Sequence, residues 1–149
     1  MKQSSEQAPR SRYENYEALL SEDEFERTVA PFLRGMRDIP DEFFVASFDG
    51  AGEEIPEGVQ FIQSTRDKGL WDVEIGFDLA EDDDEAVQIG APCRLYAVNV
   101  DAEETVRLFK SVLCRGQVPD VSGWADITKE VFEKSPTHKG PVGEMGGRN

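Results

Sequence analysis

Hydrophobic and polar residues alternate without a break over residues 71–79. Trp71, Val73, Ile75, Phe77 and Leu79 interleave with Asp72, Glu74, Gly76 and Asp78, a period of two that assigns one face to a core and the other to water. Residues 59–64 (VQFIQS) read as a second strand, and Arg66-Asp67-Lys68-Gly69 is a connection of hairpin size, so the two segments are expected to pair antiparallel. Short apolar runs at 43–48 (FFVASF) and 94–100 (RLYAVNV) supply further strands. Turn chemistry at Asp49-Gly50-Ala51-Gly52 and Ile55-Pro56-Glu57-Gly58 separates the first of these from the strand at 59.

Helical periodicity flanks this block. Tyr13, Tyr16, Leu19 and Leu20 recur at helical spacing, and Ser21 followed by Glu24 is a capping box opening a helix that carries Phe25 and Val29. Pro31 requires that helix either to kink or to yield to a new turn running through Phe32, Leu33 and Met36, with a stop at Ile39-Pro40-Asp41. After the strand at 94–100, Asp101 is placed to cap a helix from about 102 to 114. Glu103 and Glu104 lie in its first turn and Lys110 and Arg115 near its end, as the helix dipole favours. Val106, Phe109, Val112 and Leu113 form its apolar face, Gly116 ends it and Pro119 enforces the stop. Trp124 follows, then a short amphipathic piece around Ile127, Val131 and Phe132.

The pattern predicts an α+β fold: a mainly antiparallel sheet of four to five strands, with N-terminal helices and one amphipathic helix after the last strand packed on one face. Residues 13–134 are expected to form a single domain, preceded by a flexible segment at 1–12 and followed by a disordered, Gly- and Pro-rich tail at 135–149. With 38% hydrophobic residues, nine Phe, three Tyr and two Trp, the 149-residue chain has enough apolar material for a real core.

Charge changes the picture. Thirty-one Asp and Glu against 16 Lys and Arg leave a formal charge of −15, which opposes direct contact with nucleic acid or an anionic membrane and favours encounter with basic surfaces. No export signal opens the chain, and no apolar run approaches the ~20 residues of a membrane span, so a cytoplasmic protein is expected. Candidate chemistry is sparse. The single histidine, His138, falls in the expected tail, where it cannot be held as a base, and Cys93 and Cys114 have no metal or redox spacing. Phosphate-binding glycine motifs and H-E-x-x-H are missing, and the acidic run 81–85 lacks the glycine and terminal Glu of a calcium loop. No enzymatic activity, cofactor or metal is expected.

The acids cluster, and the cluster is the candidate site. Asp72, Glu74 and Asp78 share the outward face of the best strand, Asp82, Asp83 and Asp84 leave its end, and Glu53 and Glu54 lie in the preceding connection. Like charges on one sheet face repel, so a partner that neutralises them is a reasonable explanation beside simple solubility. These residues are therefore read as contacts for Lys and Arg of a protein partner. Trp124 is read either as a plug between helix and sheet or as an aromatic anchor in the same interface.

The stretch LYAVNVDAEETVRLFKSVLCRGQVPDVSGW, residues 95–124, joins a last strand to one amphipathic helix, a Gly-x-x-Pro break and a tryptophan. With the strand pair before it, this order resembles bacterial immunity proteins of polymorphic-toxin and contact-dependent inhibition systems, nearest to the first of the numbered immunity-protein families. The resemblance implies a non-enzymatic inhibitor that binds and blocks a cognate nuclease or deaminase toxin. Two other readings use the same charge: a nucleic-acid mimic directed at a defence nuclease, which should array its acids along one long surface, and a small adaptor or secretion chaperone, which should expose an apolar groove.

Overall fold

The computed structural model describes residues 8–48 and 58–133. Six strands form one sheet in sequence order: β1 (Ser11–Asn15), β2 (Phe43–Ser47), β3 (Val59–Asp67), β4 (Leu70–Phe77), β5 (Arg94–Val100) and β6 (Ala125–Asp126). Helices α1 (Glu22–Thr28) and α2 (Ala30–Arg34) lie between β1 and β2, α3 (Asp84–Gln88) between β4 and β5, α4 (Ala102–Arg115) after β5, and α5 (Thr128–Phe132) after β6. The α+β architecture is as expected, but the sheet has six strands and is mixed: β1 runs parallel to β2, and every other pair is antiparallel.

Strand β1 departs most from the sequence pattern. Residues 11 and 12 belong to the sheet and not to a flexible lead-in, and Tyr13 begins no helix. Arg12 and Glu14 turn toward the helical layer while Ser11, Tyr13 and Asn15 are exposed. The inward arginine is satisfied locally: its Nη1 donates to the Thr28 carbonyl at 2.8 Å and its guanidinium lies over the Phe32 and Phe44 rings. Tyr16, Leu19 and Leu20 pack on the main core from irregular chain that bends at residues 17 and 18, with Tyr16 N–H donating to the Ser47 carbonyl. A parallel neighbour needs a long crossover, and the α1–α2 pair provides it.

Local signals work where they concern caps. Ser21 Oγ accepts from Glu24 N–H at 3.0 Å and starts α1. Pro31 falls in the first turn of the separate helix α2. Asp101 caps α4 through Glu104 N–H, and Gly116, at φ +62°, closes it in the left-handed conformation. Helices α1, α2 and α4 cover one face of the sheet, where Phe25, Val29, Leu33, Phe109, Val112 and Leu113 pack against Phe44, Ile62, Val73 and Ile75. Trp71 Nε1 donates to the Leu33 carbonyl, tying the sheet to the end of α2.

The β3–β4 hairpin turns on Lys68 and Gly69, both at positive φ, as a two-residue loop of matching twist demands. On the face opposite the long helix, α5 covers a smaller cluster of Val45, Phe61, Cys93 and Leu95 through Ile127, Val131 and Phe132. Gly76 is what lets Phe61 lie there: a Cβ at Gly76 would stand 2.5 Å from the Phe61 ring.

Candidate protein-binding face

That second face is only partly covered. Its cross-strand rows follow from the register: Tyr13, Val45, Gln63, Glu74 and Ala97 in one, and Phe43, Thr65, Asp72 and Asn99 in the next. Tyr13, 51% exposed, meets Phe43 edge-to-face at 5.2 Å and forms the aromatic side of the face. Asp72 and Glu74 form its acidic floor.

No lysine or arginine among the described residues pairs with Asp72 or Glu74. The ion pairs are made elsewhere: Arg34 with Glu103 and Glu26, Lys110 with Glu26, Arg115 with Glu22, Arg10 and Arg37 with Glu42, and Arg94 with Asp83, Glu85 and Asp126. Burial raises the Glu74 carboxyl to about 7, with the neighbouring Asp72 and the more distant Glu130 adding to the shift. Burial raises Asp72 as well, and Asp67 contributes. Gln63, 5% exposed, donates Nε2 to Glu74 Oε1 at 2.7 Å while its own Oε1 is buried with no hydrogen-bond partner.

The other predicted contacts are dispersed. Asp78 lies just beyond β4, exposed, and accepts from Gln60 Nε2. Asp82 is exposed in the connecting loop and Asp84 begins α3. Asp83 is committed internally: it caps α3 through Ala86 N–H and binds Arg94 Nη2 at 2.6 Å, which holds its carboxyl below the usual range. Trp124 lies half-buried on the main core cluster. Glu53, Glu54, His138 and the tail at 135–149 fall outside the described residues.

Sequence reasoning missed Gln63, the Tyr13–Phe43 pair and Glu42. Gln63 had a signal: an amide inside the run Phe61-Ile62-Gln63-Ser64, all four of which are buried. Glu42 is 1% exposed and takes the backbone N–H groups of Arg10 and Arg37 together with both their guanidinium groups. Cys93 lies in the cluster under α5 and Cys114 on α4, on opposite sides of the sheet, and burial raises the Cys93 thiol to about 12.

No group of three His, Cys, Asp or Glu suited to a metal ion occurs among the described residues, and no helix among them is long and apolar enough to cross a membrane. No protein-family model matches this chain, and no curated protein or solved structure matches it.

Proposed function

We propose that this chain is a non-enzymatic inhibitor that binds a basic protein through the open face of its sheet, and that the partner is a bacterial toxin which it neutralises as an immunity protein. The observation that carries the reading is the acidic floor of Asp72 and Glu74, which no described lysine or arginine neutralises, beside the aromatic pair Tyr13–Phe43. Acids give steered association and selectivity for a basic surface, and aromatic side chains supply the buried area that turns encounter into affinity. A nucleic-acid mimic would carry its acids as a continuous array; in the two cross-strand rows of this face the acids are confined to β4, flanked by Gln63 and Thr65 on β3 and by Ala97 and Asn99 on β5. The resemblance of residues 95–124 to immunity proteins supports the choice of a toxin as partner.

The test is co-expression with the proteins encoded beside this gene, followed by capture at low and high salt. Salt-sensitive capture of a basic protein whose toxicity the chain suppresses is the expected result. Capture of a defence nuclease instead, or the absence of any salt-sensitive partner, would overturn the assignment.

A further inference from the structure

We propose that Asp72, Glu74 and Gln63 form a receptor for one basic side chain, a lysine ammonium or an arginine guanidinium, of the protein that covers the open face. The proposal rests on reading this face as a protein interface and is independent of whether the partner is a toxin.

Asp72 and Glu74 on β4 and Gln63 on β3 are neighbours across the ladder, and one buried oxygen among them has no donor. Asp72 and Glu74 stand two residues apart on β4 and point to the same face, and their carboxyl groups hydrogen-bond to each other through a proton that Glu74 carries, a bond that acts to raise Glu74 and to lower Asp72. Gln63 faces Glu74 from β3, spends its amide nitrogen on that carboxyl, and leaves its buried oxygen without a donor. A buried acceptor left unpaired costs about 1–3 kcal/mol, and the two carboxylates repel once the proton between them leaves. An ammonium or guanidinium group answers both deficits, since it brings a positive charge and several N–H donors at once.

The alternatives fit less well. A hard divalent ion wants six or more oxygen ligands, and no third His, Cys, Asp or Glu joins these two acids among the described residues. Water could satisfy the amide oxygen but brings no charge to offset the repulsion once both acids ionise. The surroundings reinforce the need for positive charge: Asp67 on β3 and Glu130 on α5 both act on the pair with negative charge, Cys93 is neutral, and Ala97 and Asn99 face it from β5. In the uncomplexed protein a proton takes the role of the cation, so arrival of the basic side chain expels it. Binding should therefore tighten as pH rises through neutrality.

The full chain, labelled for NMR, would be titrated with N-acetylarginine methylamide and with N-acetyllysine methylamide at low ionic strength and about pH 8. Saturable shifts at the Gln63 side-chain amide and the Glu74 carboxyl, with a fall in the Glu74 titration midpoint, are expected. Asp72→Asn with Glu74→Gln should weaken probe binding about tenfold. Asp82→Asn with Asp84→Asn removes the same number of charges and should change it by less than about twofold. Glu74→Gln alone provides the same comparison with a single isosteric change. Shifts spread evenly over all exposed acids and insensitive to Glu74→Gln would overturn the proposal. So would a Glu74 midpoint already far below neutrality and unresponsive to the probe, since a cation of the chain itself would then hold the site. Because no partner protein is needed, failure here and failure to find a toxin are separate results.

Discussion

Gln63 and Glu74 face each other across the β3–β4 ladder, amide to carboxyl at 2.7 Å, on the side of the sheet that the long helix leaves open. A carboxyl in that position ionises less readily than in the unfolded chain. Its consequences for stability run opposite to those of the other buried acid, Glu42, and the pair gives two predictions of opposite sign.

Glu74 is raised in the fold to about 7 from an ordinary 4.5. Between these values the native state holds a proton that the unfolded state has released, so stability falls as pH rises through this window and levels off above it. Glu74→Gln, which mimics the protonated form, should match the parent near the lower end of the window. Above neutrality it should be more stable by roughly 1–3 kcal/mol. Urea unfolding at the two ends of the window checks this, and an advantage independent of pH would refute it.

Glu42 behaves in the opposite way. Burial alone would raise it, but hydrogen bonds from the Arg37 and Arg10 side chains and backbone outweigh burial and hold its carboxyl at about 2. Its contribution is complete above the ordinary 4.5 and is lost as pH falls toward 2. Glu42→Ala leaves two guanidinium groups without their shared anion and should cost about 3 kcal/mol in denaturant unfolding. Because Arg10 enters β1 and Arg37 follows α2, amide exchange in residues 11–15 should rise most in this variant.

Gly76→Ala places a methyl group against the Phe61 ring, with Cys93 Sγ 3.2 Å away. Overpacking of this kind costs about 1–3 kcal/mol. Adding Phe61→Leu should recover part of that loss, whereas Phe61→Leu alone should destabilise the parent. A double-mutant cycle measured by thermal unfolding reads the coupling directly.

The acidic loop should divide by residue. Asp83→Ala removes the cap of α3 and a ligand of Arg94, so it should lower the urea midpoint of unfolding. Asp82→Ser with Asp84→Ser breaks no ion pair among the described residues and should leave unfolding unchanged. If the loop steers a basic partner, the double variant slows association at low salt and loses that effect at high salt; an unchanged rate would remove the loop from the interface.

Much of the fold was legible because its signals are local. The alternation from Trp71 to Phe77, the Ser21 and Asp101 caps, Gly116 at the end of α4 and the Lys68-Gly69 turn each depend on a few neighbouring residues and stand where the pattern placed them, whereas Asp78 and Leu79 fall beyond the strand's end. Residues Asp72 and Glu74 were recognisable as outward-facing for the same reason: a strand's side chains change face at every step, whatever the strand pairs with.

The rest needed the folded chain. Tyr13, Tyr16, Leu19 and Leu20 carry a helical spacing, yet Ser11–Asn15 pairs with β2, because a strand is completed by hydrogen bonds to residues more than thirty positions away. Charge count alone could not separate Asp83, bound to Arg94, from Asp82 and Asp84 beside it, since the guanidinium that decides the matter lies on another strand. Sequence by itself determined which residues could form strands and helices, where the long helix begins and ends, and the large negative charge. Tertiary structure alone decided which carboxylates keep a cation, which have none among the described residues, and that Gln63 stands against them, because ion pairing and burial are set by neighbours that only folding brings together.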